Sequence, residues 1–296
     1  MMNPALRFLP HVLWKRRPIH LTLFVTGRCN ARCRHCFYIR ENKITPKENE
    51  MSLEEYERLS RGMGSLIWLA FSGGEIFLRD DLVEISRVFY RNNKPSIMLY
   101  PTNGLMPDKT LSVMEQVLAD CPESVVTVKL SIDGLKDMHD RMRGKSGSFD
   151  LVLETHERLK GLLGKYKNFE LGVNTLISHD NQDHMDEVVD FVRGMDSVRT
   201  HTISLVRGDV STGLKDVDPA LYEAAIKRLE REFRAGTSPL YSFRGAKLKA
   251  AQDLIQRRII HKVMSGKGRQ LPCFAGRLNL VVTENADVYP CERFEP

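Results

Sequence analysis

The sequence predicts an α/β protein whose parallel strands curl into a partial, TIM-like (β/α)6 barrel. Short apolar runs alternate with helix-like segments from residue 19 to about residue 235, which is the order that successive β-α units produce. The run at residues 66–71 is apolar throughout, as expected of a parallel strand that is covered on both faces. Gly-containing or polar loops follow the first four strands, and such loops meet on the rim where α/β folds bind ligands.

Each strand and helix is predicted from the residue pattern of its own segment. The alternating run at residues 19–25 predicts the first strand, and the segment Ser52-Leu53-Glu54-Glu55 predicts a capped helix with an acidic first turn. The predicted strands are 19–25, 66–71, 96–100, 125–132, 170–177 and 200–206, and the predicted helices are 53–63, 80–92, 108–119, 149–163, 183–193 and 219–233.

Beyond residue 236 the pattern changes. A long basic helix is predicted over 243–264, a linker over 265–269, and a β-hairpin over 277–283 and 287–289 with its turn at 284–286. We therefore expect four parts: a basic N-terminal segment (1–18), the barrel (19–235), a helical linker (236–270) and a C-terminal segment (271–296).

The amino-acid composition limits which classes of function the protein can have. The 296 residues are 42% hydrophobic and carry a net charge of +6, but no basic stripe interleaved with aromatics points to nucleic acid. No apolar run approaches the roughly 18 residues of a membrane span. Apolar residues near the N-terminus share one helical face beside Lys15-Arg16-Arg17, so weak contact with a membrane surface is one interpretation. Pro10 disfavours that helix, and a segment that caps the barrel is the preferred alternative.

The six cysteines indicate metal binding. Cys29, Cys33 and Cys36 have the spacing C-x3-C-x2-C directly after the first strand, which places three soft ligands on one loop. Such spacing indicates a metal site in a reducing compartment, hence the cytoplasm, and not a disulfide framework. The ligands suit zinc or an iron–sulfur cluster. A four-iron cluster held by three thiolates would leave one iron open to another molecule.

The next strand ends in Gly73-Gly74-Glu75. The glycine pair permits close approach of the backbone to a ligand, and the acid can accept a hydrogen bond from an amino group. The following strand ends in Thr102-Asn103-Gly104, a segment that ordinary turn chemistry also explains.

The cysteine spacing followed by Gly-Gly-Glu resembles the radical S-adenosylmethionine (SAM) superfamily. The segments 130–134, 139–144 and 147–150 resemble its SPASM/twitch branch, which includes sulfatase-maturing and peptide-modifying enzymes. The resemblance implies a 4Fe-4S cluster on Cys29, Cys33 and Cys36, with SAM at its open iron. It also implies the following SAM contacts: Gly73, Gly74 and Glu75 at the amino group, Arg143 at the carboxylate, Ser131 at the ribose, His35 and Leu205 near the adenine, and Asn103 in the Thr-Asn-Gly turn.

The resemblance also implies an auxiliary iron–sulfur site. Cys273 and Cys291 flank the predicted hairpin, as a cysteine pair does in SPASM and twitch proteins. Two features depart from the family: Ala286 stands where a glycine is usual, and the sequence ends at Pro296 before further cysteines. A truncated sequence, a vestigial site and substitute ligands are the alternatives. Cys121 is expected to be an apolar filler.

The resemblance therefore predicts a radical SAM enzyme. A low-potential electron donor of the flavodoxin or ferredoxin kind would drive reductive cleavage of SAM, and the 5′-deoxyadenosyl radical would abstract hydrogen from a substrate. The substrate is a peptide, small molecule, sugar or lipid. The alternatives are adenosyl or methyl transfer from SAM and, in a different class, a non-catalytic zinc-binding or redox-sensing protein.

Overall fold

The computed structural model describes residues 17–38, 45–237, 241 and 245–292. Within these residues eight strands form one sheet in the order β6-β5-β4-β3-β2-β1-β7-β8. The strands are His20–Thr26 (β1), Trp68–Gly73 (β2), Ile97–Thr102 (β3), Val125–Ser131 (β4), Phe169–Ile177 (β5), Thr200–Leu205 (β6), Asn279–Val282 (β7) and Val288–Tyr289 (β8). The helices are Leu53–Gly62 (α1), Leu82–Asn93 (α2), Pro107–Asp120 (α3), Asp137–Arg143 (α4), Ser148–Lys160 (α5), Leu162–Lys165 (α6), Met185–Gly194 (α7), Pro219–Ala235 (α8) and Ala246–Met264 (α9).

The predicted fold class is confirmed. Strands β1 to β6 are all parallel to their neighbours, and helices separate them along the chain. Among the described strands β6 and β8 lie at the two ends of the sheet, so the barrel is open. The predicted N-terminal segment, residues 1–18, lies almost wholly outside the described residues. No helix in the described part of the chain is long and apolar enough to cross a membrane.

The two faces of the sheet differ. On β1, Leu21, Leu23 and Val25 belong to the main hydrophobic core, which lies between the sheet and the helices. Alternate strand residues point the opposite way and face the inside of the open barrel, which we call the lumen. One row across the lumen is Pro101, Lys129, Gly172 and Thr200, each in register with the next.

Helix α1 begins as its sequence predicts. The Ser52 side chain accepts a hydrogen bond from the Glu55 backbone, and the Glu55 carboxylate accepts one from the Ser52 backbone. This reciprocal pair is a capping box, and it satisfies two backbone N–H groups that the helix itself leaves free.

The predicted C-terminal hairpin is confirmed, and the structure shows how it is attached. Strands β7 and β8 are antiparallel, and β7 also pairs with β1 in parallel. The hairpin thus extends the barrel sheet past β1. Its turn contains Ala286 at φ 69°, a left-handed conformation that glycine adopts without strain and alanine does not.

Replacing Ala286 by glycine should therefore stabilise the protein. We expect Ala286→Gly to raise the free energy of unfolding by up to about 1 kcal/mol, measured by urea denaturation. The matched control is Ala251→Gly in the interior of α9, which should lower it by about 1 kcal/mol because glycine disfavours helix. A loss of stability in Ala286→Gly would contradict the strain assigned to this turn.

Candidate functional site

A cavity of about 210 Å3 lies at the carboxyl ends of the parallel strands. We call it the rim cavity. It brings together residues that the sequence places far apart on separate loops: Cys29, Cys33, His35, Cys36, Gly73, Gly74, Glu75, Asn103, Ser131 and Arg143. Leu205 does not belong to this lining. It is in register with Ile177 and packs against a second hydrophobic cluster, whereas Leu176, on the opposite face of β5, lines the cavity.

The cysteine loop is fixed by backbone contacts to helix α4. The Arg32 and Arg34 amides donate to the carbonyls of Arg143 and Met142, at 2.9 and 3.3 Å. Gly144 ends the helix at φ 60°, and a Cβ there would lie 2.3 Å from the Arg32 carbonyl oxygen. Only glycine permits so close an approach, so the end of α4 determines where the cysteine loop lies.

The sulfur atoms accept hydrogen bonds from their surroundings. The Ala31 amide and the Asn103 side-chain amide lie 3.4 and 3.7 Å from Cys29 Sγ. Arg143 Nη1 lies 3.8 Å from Cys33 Sγ. Burial raises the pKa of the Cys29 thiol to about 11 and also raises that of Cys33. Both groups are thiols in the free protein, and metal coordination would deprotonate them.

The cysteines fit an iron–sulfur cluster. All three face one cavity, and hydrogen bonds to sulfur are among the features that tune such clusters. Among the described residues, no group of three or more His, Cys, Asp or Glu side chains is arranged to hold a single metal ion.

The Gly-Gly-Glu loop contacts the end of β1 through its backbone. Gly73 has φ 122°, and a Cβ there would lie 2.3 Å from the Thr26 carbonyl oxygen. The Gly74 and Glu75 amides donate to the carbonyls of Thr26 and Arg28 at 2.8 and 2.9 Å. Gly73 is therefore required by both its conformation and its contact, and the two loops are held together at the cavity.

The carboxylate of Glu75 is buried and already accepts three hydrogen bonds from neighbouring residues. It accepts hydrogen bonds from the Phe77 amide at 3.2 Å, the Thr102 hydroxyl at 2.9 Å and the Asn103 amide at 2.8 Å. Burial raises its pKa to about 7, although these hydrogen bonds oppose the shift. A carboxylate has about four acceptor positions, so Glu75 can accept one more hydrogen bond from a ligand.

Arg143, which lines the cavity, forms a buried ion pair with Asp133. Arg143 Nη2 lies 2.6 Å from Asp133 Oδ2, and His35 Nε2 lies 3.4 Å from the same oxygen. Burial alone would raise the pKa of Asp133, but the charges of Arg143 and His35 outweigh this effect and lower it. Arg143 Nε is buried and has no hydrogen-bond partner among the described residues, so it remains available to an anionic ligand.

The sequence did not identify Asp133 as the partner of Arg143. In the sequence Asp133 is only part of the segment 130–134, and the family resemblance places Arg143 against the SAM carboxylate alone. The clue in the sequence was the Asp133-Gly134 pair at the same strand end as Ser131. That pattern does not reveal which basic residue the aspartate meets.

The C-terminal hairpin reaches the segment that follows the cysteines. Glu284, in the hairpin turn, is buried and accepts hydrogen bonds from the hydroxyls of Tyr38 and Thr45. Tyr38 also lines the rim cavity. The hairpin therefore helps to position one wall of the site.

The other cysteines lie apart from the rim. Cys121 is fully buried in the main core, as expected of an apolar filler. Cys273 is exposed and Cys291 is half-buried, and no other cysteine stands beyond Cys121. The auxiliary cluster therefore remains a prediction with two thiols available to it.

Comparison with known proteins identifies the family. A model of the Radical SAM superfamily matches residues 23–192, which is more than half of the chain. The AdoMet-dependent heme synthase of Methanosarcina barkeri (AdoMet is SAM) is 26% identical over 283 residues, covering 90% of this chain and 74% of that protein. The Fe-coproporphyrin III synthase of the same organism is 34% identical over 152 residues, covering 47% and 36% of the two chains.

A solved structure shows the same fold. The structure of anSMEcpe with bound AdoMet and the Cp18Cys peptide has a TM-score of 0.62 and 21% identity, with 94% of this chain and 75% of that chain covered. The fold, the residues gathered at the rim cavity and the family match agree, and the chain belongs to the radical SAM superfamily.

Proposed function

We propose that Cys29, Cys33 and Cys36 ligate a 4Fe-4S cluster and that the rim cavity binds SAM beside it. Members of the superfamily are enzymes that cleave SAM reductively at such a cluster. The observation that carries our residue assignment is the convergence of three thiols, a Gly-Gly-Glu loop and Arg143, which Asp133 holds in an ion pair, on one cavity. Membership in a family of enzymes also removes the alternative of a non-catalytic zinc protein.

The cavity offers a partner for each end of the SAM molecule. The remaining acceptor position of Glu75 suits the amino group, and the unpartnered Arg143 Nε suits the carboxylate. We assign Ser131 to the ribose, and His35 and Leu176 to the adenine end, with Leu176 taking the place first predicted for Leu205. Asn103 links Glu75 and Cys29, because its backbone amide donates to the Glu75 carboxylate and its side-chain amide donates to Cys29 Sγ. When bound, the cluster and SAM supply the radical chemistry.

A second cavity provides room for a substrate. It has a volume of about 880 Å3 and is lined by Thr22, Arg207 and Cys291, among other residues. Thr22 is two residues before Phe24, which lines the rim cavity, so both cavities border one face of β1. We infer that the substrate, from which the radical would abstract hydrogen, lies between them.

Other parts of the function are also proposals. We infer a low-potential electron donor of the flavodoxin or ferredoxin kind and a cytoplasmic location, because thiolate ligands need a reducing compartment. The relatives named above are a heme synthase and an Fe-coproporphyrin III synthase, and one structural neighbour binds a peptide. These relatives leave both a tetrapyrrole and a peptide as candidate substrates.

The proposal is tested by anaerobic reconstitution with iron and sulfide. We expect 5′-deoxyadenosine when SAM and dithionite are added, with about four irons per chain for one cluster and about eight if an auxiliary cluster is present. Cys33→Ala should abolish the product because one ligand is lost, whereas Cys121→Ala, which alters a buried cysteine elsewhere, should retain it. Full cleavage of SAM by Cys33→Ala would refute the cluster assignment.

The role of Glu75 is tested by SAM affinity. Glu75→Gln removes the charge that would receive the amino group, and we expect the Kd for SAM to rise about tenfold or more, measured by equilibrium dialysis on the reconstituted protein. The matched control is Glu84→Gln, on the outer helix α2, which should leave the Kd unchanged. An unaltered Kd in Glu75→Gln would remove Glu75 from the SAM site.

A further inference from the structure

Lys129 lies in the lumen next to the rim cavity. Along β4 it shares a face with Ser131, which lines that cavity, and across the sheet it is in register with Pro101, which also lines it. Successive residues on one face of a strand are about 6.6 Å apart. The Lys129 side chain therefore begins one step below the proposed SAM site, within the lumen.

Strand β5 contains a glycine that makes room for this lysine. A Cβ at Gly172 would lie 2.7 Å from Lys129 Nζ and 2.4 Å from the hydroxyl of Thr200. The lysine therefore extends over β5 to reach β6, where its ammonium donates to the hydroxyls of Thr200 and Thr202. Glycine weakens a strand interior and often marks a place where another group approaches the backbone closely. The sheet therefore determines the position of this ammonium.

The charge of Lys129 is not neutralised locally. Lys129 is buried, and no carboxylate of the described residues lies within 4 Å of its ammonium. Arg257, on α9, is also buried, and its contact is with the His201 carbonyl at 3.5 Å. Asp253 lies nearby but is paired with Lys249. Among the described residues, the charged side chains around this point are Lys129, Lys249 and Arg257 against Asp253 and Glu170. These three positive and two negative charges leave one positive charge in excess.

Space for a ligand lies beside these groups. A cavity of about 50 Å3 is lined by Thr200, Thr202, Tyr241, Asp253 and Arg257, among others. This exceeds the roughly 10–15 Å3 that a cavity needs to hold one water. The Thr202 hydroxyl accepts from Lys129 and so keeps its own proton to donate to a ligand.

We propose that the lumen contains a carboxylate-binding subsite for the substrate, in which Lys129 and Arg257 supply the positive charge and Thr202 donates a hydrogen bond. A single carboxylate matches the single excess charge, and it would place the rest of the substrate toward the rim cavity. This inference names a substrate class for the radical SAM site and rests on the function proposed above. It makes Lys129 a specificity-determining residue.

The protonation of Lys129 agrees with this role. Burial and the charges of Lys249 and Arg257 lower the pKa of Lys129 to about 7, although Asp253 opposes the shift. The facing groups are Glu170, His201, Tyr241, Lys249, Asp253 and Arg257. Burial lowers the pKa of His201 to about 3 and raises that of Tyr241 to about 12, so neither titrates between pH 6 and 8. An anion bound to the ammonium should therefore bind more weakly as the pH rises through 7.

The test uses propionate and its neutral isostere propionamide as probes, titrated calorimetrically into the full-length protein with and without reconstitution. We expect propionate to bind at least about tenfold more tightly than propionamide at pH 6, and to weaken by pH 8. Lys129→Met should remove both the preference and its pH dependence. Lys262→Met, an exposed lysine on the same helix as Arg257, should change neither.

Gly172→Ala provides a second variant that keeps the lysine but displaces its ammonium, and it should also weaken propionate. Circular dichroism and thermal melting establish that each variant is folded. Equal affinity for the two probes in the wild type, or undiminished propionate binding in folded Lys129→Met, would overturn the proposal. Because the binding is measured without SAM cleavage, a wild type that binds propionate but forms no 5′-deoxyadenosine would refute the proposed function and leave this subsite standing.

Discussion

The arrangement of the site depends on the buried ion pair between Asp133 and Arg143. Taking two charges out of water is costly unless each is paired and hydrogen-bonded. Asp133 meets this condition because its other oxygen accepts from the Leu176 amide at 2.8 Å, and its backbone carbonyl accepts from the Asn181 side chain at 2.7 Å. Arg143 ends the helix whose carbonyls hold the cysteine loop. One ion pair thus joins β4, β5 and the three thiols.

Close backbone contacts complete the rim. Gly73 and Gly144 stand where any side chain would meet a carbonyl oxygen of the cysteine loop or of the strand before it. Such positions lower the stability of the chain, because glycine loses the most conformational freedom on folding. These contacts bring three loops from distant parts of the sequence within hydrogen-bonding distance of one another. Gly172 plays a similar part in the lumen, where it leaves space for Lys129.

Local sequence patterns predicted most of the fold and the centre of the site. Strands and helices fall within a few residues of their predicted bounds, because alternating and helical periodicities are local signals. Cys29, Cys33, Cys36 and the Gly-Gly-Glu loop could be found because each is a short motif at a strand end. The sequence did not reveal features that depend on distant contacts: the pairing of β7 with β1, the ion pair of Asp133 with Arg143, and the outward face of β6 on which Leu205 lies. The short helix Asp137–Arg143 was also missed, since seven residues give too little periodicity.

In the proposed function, three thiolates would hold a cluster with one iron open to a ligand in the rim cavity. Electron paramagnetic resonance of the reconstituted, reduced protein tests this most directly, with spectra recorded before and after SAM is added. We expect an iron–sulfur signal whose g values shift on addition of SAM, since SAM would bind the open iron. A cluster signal with unchanged g values, or no iron–sulfur signal at all, would contradict it.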